Sequence, residues 1–167
     1  MSTDVIATFE DSLSELATTE RTTADAFLET LSDHVVPPAL GVSLPFDGVS
    51  LPDGIGPPEF PEDLREVHTG ITPAGMGIAN YGTVTVRSRA EGDELVGLYP
   101  EHHVVVVPES DVYPDMQAAF EQLGEEFDRG PTTQVLETGP SATADMGELV
   151  EGVHGPREVT VLILEGR

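Results

Sequence analysis

The sequence predicts an α/β fold, and three observations carry that expectation. Gly82-Thr83-Val84-Thr85-Val86-Arg87-Ser88 alternates apolar and polar residues with the period of a strand. The aliphatic runs Val104–Val107 and Val161–Leu164 read as strands buried on both faces. Between those runs, Asp115 to Phe127 places Met116, Ala119, Phe120, Leu123 and Phe127 at helical spacing. Strands separated by helical segments put helices on a sheet.

From the N-terminus, Val5, Ile6, Phe9, Leu13 and Leu16 form one helical stripe across residues 4 to 18. A second helix is expected from about Thr22, with Asp25 in its first turn, where the helix dipole favours an acid. Its apolar positions are Ala24, Phe27, Leu28, Leu31 and Val35, and Pro37 and Pro38 stop it. Residues 1–36 therefore read as an N-terminal helical hairpin. Seven of the fourteen prolines fall between Pro37 and Pro61, and Gly-Val-Ser-Leu-Pro occurs twice there, at Gly41–Pro45 and Gly48–Pro52. Residues 37–62 read as an extended strap whose Val and Leu side chains drop into grooves, with few ladder hydrogen bonds. A proline-rich recognition segment, with Pro58 and Pro61 at PxxP spacing, is the weaker alternative. Residues 63–167 carry the α/β domain. Beyond the strands already named, Leu95–Leu98 is a short apolar run and Thr133–Leu136 a strand, a polar turn with a helix is expected through Gly139–Val150, and Glu158–Leu164 is the last strand.

The charge is one-sided. The chain carries 31 Asp plus Glu against 7 Lys plus Arg, a formal net charge of −24, and all seven bases are arginine. Without lysine there is no Schiff-base or phosphate-loop lysine chemistry. Such a surface repels nucleic-acid phosphates and anionic lipid, so neither nucleic acid nor membrane is an expected partner. The absence of cysteine excludes disulfides, thiolate metal sites and a cluster ligated by this chain. Acid abundance together with missing lysine favours a protein of a high-salt cytoplasm over an acidic mesophilic one. The polar, acidic N-terminus and the lack of a long apolar run point to the cytoplasm.

Four segments offer chemistry. Gly139-Pro140-Ser141-Ala142-Thr143-Ala144-Asp145 follows a strand; read by itself it is most simply an ordinary capped turn, while as a helix start its amides suit an anion. Gly152-Val153-His154-Gly155-Pro156 holds a histidine between glycines. In Pro100-Glu101-His102-His103 the two histidines must point to opposite faces of a strand, so at most one is expected to face the core or a site. Gly70 to Thr83 combines glycines, hydroxyls and the amide of Asn80, as a ligand-facing loop or a packing turn would. A metal would require His103, His154 and Asp145 to converge, and their spacing has no zinc signature, so no metal and no cofactor are expected.

Taken in order, these segments resemble the LUD domain of the lactate-utilisation protein C family. The residues that carry the resemblance are Gly70-Ile71-Thr72, Ile78-Ala79, Gly82-Thr83, Pro100 and His103. They continue with Thr138-Gly139-Pro140-Ser141, Thr143-Ala144-Asp145 and Gly152-Val153-His154-Gly155-Pro156. The resemblance covers residues 64 to 165 and leaves the N-terminal segment and the strap outside it. It implies a three-layer α/β/α domain with a mixed, mainly parallel sheet, similar to the CoA-transferase and ribose-phosphate isomerase-like fold. It also implies a cluster-free accessory subunit beside iron–sulfur partners that oxidise L-lactate to pyruvate.

On that footing Gly70, Thr72, Asn80, Gly82, Thr83, Gly139, Pro140, Ser141, Thr143, His154 and Gly155 are expected to bind a small anionic metabolite. His103, Asp145 and His154 are the candidates for a catalytic role. Three positions depart from the family's pattern: Asn80 stands where a glutamate is usual, Glu94 where an arginine is often found, and Gly147 where an acid is often found. They weaken the alternative of an isomerase or acyl/CoA-transfer enzyme, because Asn80 can hydrogen-bond but cannot act as a base. A structural interaction module is the third reading.

Overall fold

A computed structural model describes residues 2–145, 147–152 and 154–166. Its centre is a five-stranded parallel sheet in the order β1-β11-β6-β3-β2. The strands are β1 (Thr18–Thr22), β2 (Ala39–Gly41), β3 (Thr69–Pro73), β6 (His102–Pro108) and β11 (Glu158–Leu164). The aliphatic runs predicted as buried strands occupy β6 and β11, adjacent at the middle of the sheet. Covered on both faces, they satisfy the demand of a parallel sheet for nearly continuous apolar sequence.

On one face Val105, Val107, Val161 and Ile163 pack against Ile6, Phe9 and Leu13 of α1 (Ser2–Leu13). On the other, Val104, Val106, Leu162 and Leu164 meet Phe27 and Leu31 of α2 (Phe27–Ser32). Leu44 and Val49 of the proline-rich segment are buried in that same cluster, with Leu51 and Ile55 packed against it. The repeated Val and Leu therefore face inward, and the segment's only strand is the three-residue β2, with a 3-10 turn opening at its end at Pro61.

A second, mixed sheet runs β7-β4-β5-β8. Its members are β4 (Gly77–Ile78), β5 (Thr83–Arg87), β7 (Val112–Tyr113) and β8 (Gln134–Glu137). Helix α4 (Met116–Arg129) packs Ala119 and Leu123 against Met76 and Ile78 of this region. The Asp115 side chain starts α4 by accepting a hydrogen bond from the Ala118 N–H at 2.9 Å. The helical stripe read from the sequence is thus partly buried: Phe120 and Phe127 are 58% and 50% exposed. The short helix α3 (Asp93–Leu98) lies over β3, β5 and β6.

Three expectations are corrected. The N-terminal helices do not form a simple hairpin, because β1 intervenes and pairs with β11; the second helix begins at Phe27 rather than Thr22. Thr18-Thr19-Glu20-Arg21-Thr22 has no apolar alternation, so only the neighbouring strand makes it a strand. The short apolar run Leu95–Leu98, to which the sequence pattern assigns no element, ends a helix. The helix expected within Gly139–Val150 is an antiparallel hairpin of β9 (Ala142–Asp145) and β10 (Glu148–Glu151). Gly147 between them takes φ of 84°, a left-handed conformation that turns the chain where a helix would continue.

Candidate functional site

Two strand neighbours, β6 and β3, bring His103 and Thr72 together. The His103 Nε2 lies 2.8 Å from Thr72 Oγ1, and its Nδ1 lies 2.7 Å from Glu137 Oε2 at the end of β8. The imidazole is fully buried, while the Glu137 side chain is 14% exposed. Against a carboxylate the imidazole donates from Nδ1; a neutral ring then accepts from the threonine hydroxyl at Nε2, and a protonated ring donates to it. A Cβ on Gly97 of α3 would stand only 3.0 Å from the ring's Cε1, so a larger residue there would press on the histidine and one of the two would have to give by a few tenths of an ångström.

Glu137 also forms part of the wall of a cavity of ≈ 440 Å³. The rest of the described wall comes from Val86 of β5, from α3 (Glu94, Leu95, Gly97 and Leu98), from β8 and the residues after it (Val135 to Ser141), and from His154 to Pro156. His103 is one layer behind this wall. The loops are tied together by backbone: the Ser141 N–H donates to the Pro156 carbonyl at 2.8 Å, and the Gly152 N–H to the Ser141 carbonyl at 2.9 Å. Glu137 Oε1 is buried and has no hydrogen-bond partner among the described residues. Leaving such an acceptor unpaired costs about 1–3 kcal/mol, more if it is charged.

The expected site residues divide into groups. Gly139, Pro140, Ser141, His154 and Gly155 line the cavity. Thr72 supports it through His103, and Thr83 through the hydroxyl of Thr138, 2.7 Å away. Gly70 lies beneath α3, where its Cβ would meet the Val96 carbonyl. Asn80 and Gly82 sit elsewhere: the Asn80 N–H donates to the Pro114 carbonyl, and Gly82 packs on the backbone of Ser12 at the end of α1. Thr143 and Asp145 belong to β9, and their side chains lie outside what is described; so does Val153. Among the described residues no group of three or more His, Cys, Asp or Glu could hold a metal.

The expectation of a small-anion pocket meets a wall that, among the described residues, holds two carboxylates, Glu94 and Glu137, and no arginine. Sequence reasoning missed Glu137, having followed the glycines, hydroxyls and histidines around it. The available signal was an acid at the last position of a strand, directly ahead of Thr138-Gly139-Pro140-Ser141.

His102 points to the other face, as strand geometry requires, yet it too is buried, with Nε2 2.8 Å from Thr160 Oγ1. Burial pushes its pKa below the usual imidazole range; Glu158 opposes the shift, and His34, His103 and His68 reinforce it. The unfolded chain takes up that proton near pH 6.5, the folded chain only at lower pH. Its contribution to stability is therefore fully present above about pH 6.5 and is lost as pH falls through the folded value. Denaturant unfolding between pH 7.5 and 5.5 should show stability falling, by at most ~1.4 kcal/mol per pH unit for this one proton. His102→Gln should fall less steeply, and equal slopes would remove His102 as the cause.

The LUD domain family model matches residues 58–164. Lactate utilization protein C of Oceanobacillus iheyensis is 30% identical over 105 residues, covering 60% of this chain and 45% of that protein. The protein of the same name from Macrococcus caseolyticus is 33% identical over 107 residues, covering 62% and 46%. That from Bacillus subtilis is 31% identical over 107 residues, covering 62% and 45%. The chain thus matches a little under half the length of these relatives. The crystal structure of a DUF162 family protein from Deinococcus radiodurans aligns with a TM-score of 0.74 at 18% identity, covering 98% of both chains. That likeness extends the shared fold to the N-terminal segment and the proline-rich strap. No helix among the described residues is long and apolar enough to cross a membrane.

Proposed function

This chain belongs to the LUD domain family, and from that premise we propose that it serves lactate utilisation as a component without redox groups of its own. The observation that carries the reading is the match over residues 58–164, a span that includes Glu94 and the 135–141 and 154–156 walls of the cavity. The name of the relatives, lactate utilization protein C, supplies the process. The chain has no cysteine, so any iron–sulfur cluster in such a system would be held by partner proteins. In this role the cavity beside β8 takes a small molecule, and the buried pair of His103 and Thr72 holds the Glu137 carboxylate in place.

The test is genetic and biochemical together. Deleting the gene should abolish growth on L-lactate while leaving growth on pyruvate intact, and the wild-type gene should restore it. The tagged full chain should co-purify with proteins containing iron and acid-labile sulfide. Unimpaired growth of the deletion strain on L-lactate would overturn the assignment.

A further inference from the structure

We propose that the cavity beside β8 binds an apolar molecule that presents a hydrogen-bond donor, a hydroxyl or a protonated amine, to the carboxylate of Glu137. This deepens the reading above, on which it rests for giving the cavity a ligand.

The first argument is the acceptor. One oxygen of Glu137 is held by His103, and the other, buried in the same side chain, meets no donor among the described residues. The protein cannot readily supply one by rearranging. His103 is fully buried, pinned at its other nitrogen by Thr72 and covered by Gly97, so the imidazole has no freedom to turn a second N–H toward Oε1. A donor carried by a ligand satisfies that oxygen once the carboxylate, 14% exposed at the cavity wall, turns slightly toward it.

The second argument is the body of the ligand. Leu95, Leu98, Val135 and Leu136 all line the cavity, and each is between 42% and 47% exposed. Apolar side chains gathered around a concavity offer water a poor surface and an apolar ligand a good one.

The third argument is charge. Glu94 shares the wall with Glu137 and already accepts from the Ser88 hydroxyl; among the described residues no arginine enters it. An incoming carboxylate or phosphate would meet like charge in a partly desolvated place, whereas a hydroxyl or ammonium would not. The metal alternative lacks ligands, since no group of three or more His, Cys, Asp or Glu could hold an ion among the described residues.

Three probes with one ring and three head groups test this: cyclohexylamine, cyclohexanol and cyclohexanecarboxylate, titrated into the full chain and followed by calorimetry and by NMR shifts. The amine and the alcohol are expected to bind at least tenfold more tightly than the carboxylate. The order of the first two shows whether Glu137 is met chiefly as a charge or as a neutral acceptor. Glu137→Gln, nearly isosteric, should reduce the amine-over-carboxylate preference to threefold or less. Leu98→Trp, filling the cavity from a half-exposed position, should weaken all binding with the fold retained. Carboxylate binding as tight as amine binding, a preference that survives Glu137→Gln, or no saturable binding of any probe would each overturn the proposal. None of these outcomes depends on growth on L-lactate, so this proposal and the metabolic role can fail separately.

Discussion

Gly70→Ala is expected to destabilise the protein by about 3 kcal/mol or more, at the upper end of what overpacking usually costs. Gly70 lies mid-strand in β3, paired in register with Leu40 on one side and His103 on the other. A Cβ there would stand 1.9 Å from the Val96 carbonyl oxygen and 2.7 Å from Pro100 Cγ. An ordinary carbon–oxygen approach is about 3.3 Å or longer. Backbone cannot yield as a flexible side chain does, so α3 must retreat by more than ~1 Å. That withdraws Val96 from its cluster with Val42 and Leu64 and lifts Gly97 from His103. For a chain of this size, each kcal/mol corresponds to roughly 2–4 °C, so Tm should drop by about 6–12 °C. Gly124→Ala is the matched control: the position is inside α4, with nothing within 4 Å of the added carbon. There the helix should gain close to 1 kcal/mol from the better helix former. Urea unfolding of both variants decides the matter, and a Gly70→Ala protein within 0.5 kcal/mol of wild type would contradict the packing described.

The second large effect is salt. A formal net charge of −24 is spread over one small protein. Arg21, Arg87, Arg89 and Arg129 each pair with an acid, and seven arginines cannot neutralise 31 carboxylates. In dilute buffer the remaining repulsion acts over a Debye length of about 10 Å at 0.1 M; near 1 M this shrinks to about 3 Å. The unfolded chain spreads the same charges further apart, so screening favours the folded state. Tm is expected to rise by more than ~10 °C from about 0.1 M to molar NaCl, equivalent to several kcal/mol at the conversion above. Sucrose at equal osmolality should give a smaller rise, because it leaves the charges unscreened. A melting temperature insensitive to NaCl would refute the account.

What the sequence made visible depended on how much each element relies on its own pattern. The β6 and β11 cores announce themselves because a strand covered on both faces must be apolar throughout. Helix α4 was legible from its spacing, although the largest members of its stripe, Phe120 and Phe127, are half exposed. β1 was hidden: its polar residues become a strand only through β11, more than a hundred residues away in sequence. The hairpin β9–β10 was hidden for another reason, since adjacent Leu149 and Val150 fit a helix or a strand, and the turn at Gly147 decides between them. The candidate site divides the same way. Gly139, Ser141 and His154 were found because glycine, hydroxyl and imidazole stand out in a loop. Glu137 was not, because its one local signal, an acid at the end of a strand, is weak in so acidic a chain; its contact with His103 joins residues 34 apart in sequence.

The outermost strands of the central sheet bear on how copies of this protein behave together. β2 is three residues long and follows two prolines, which offer no N–H to a neighbouring chain. β1 carries Glu20 and Arg21 in its middle; Glu20 meets His34, and Arg21 is held by Glu10 and Glu165. Both rims of the sheet are therefore blunted by backbone chemistry and local ion pairs rather than by the overall charge. In concentrated salt, where mutual repulsion between acidic molecules fades, that distinction matters: strand-to-strand aggregation stays disfavoured after long-range electrostatics no longer keeps the molecules apart.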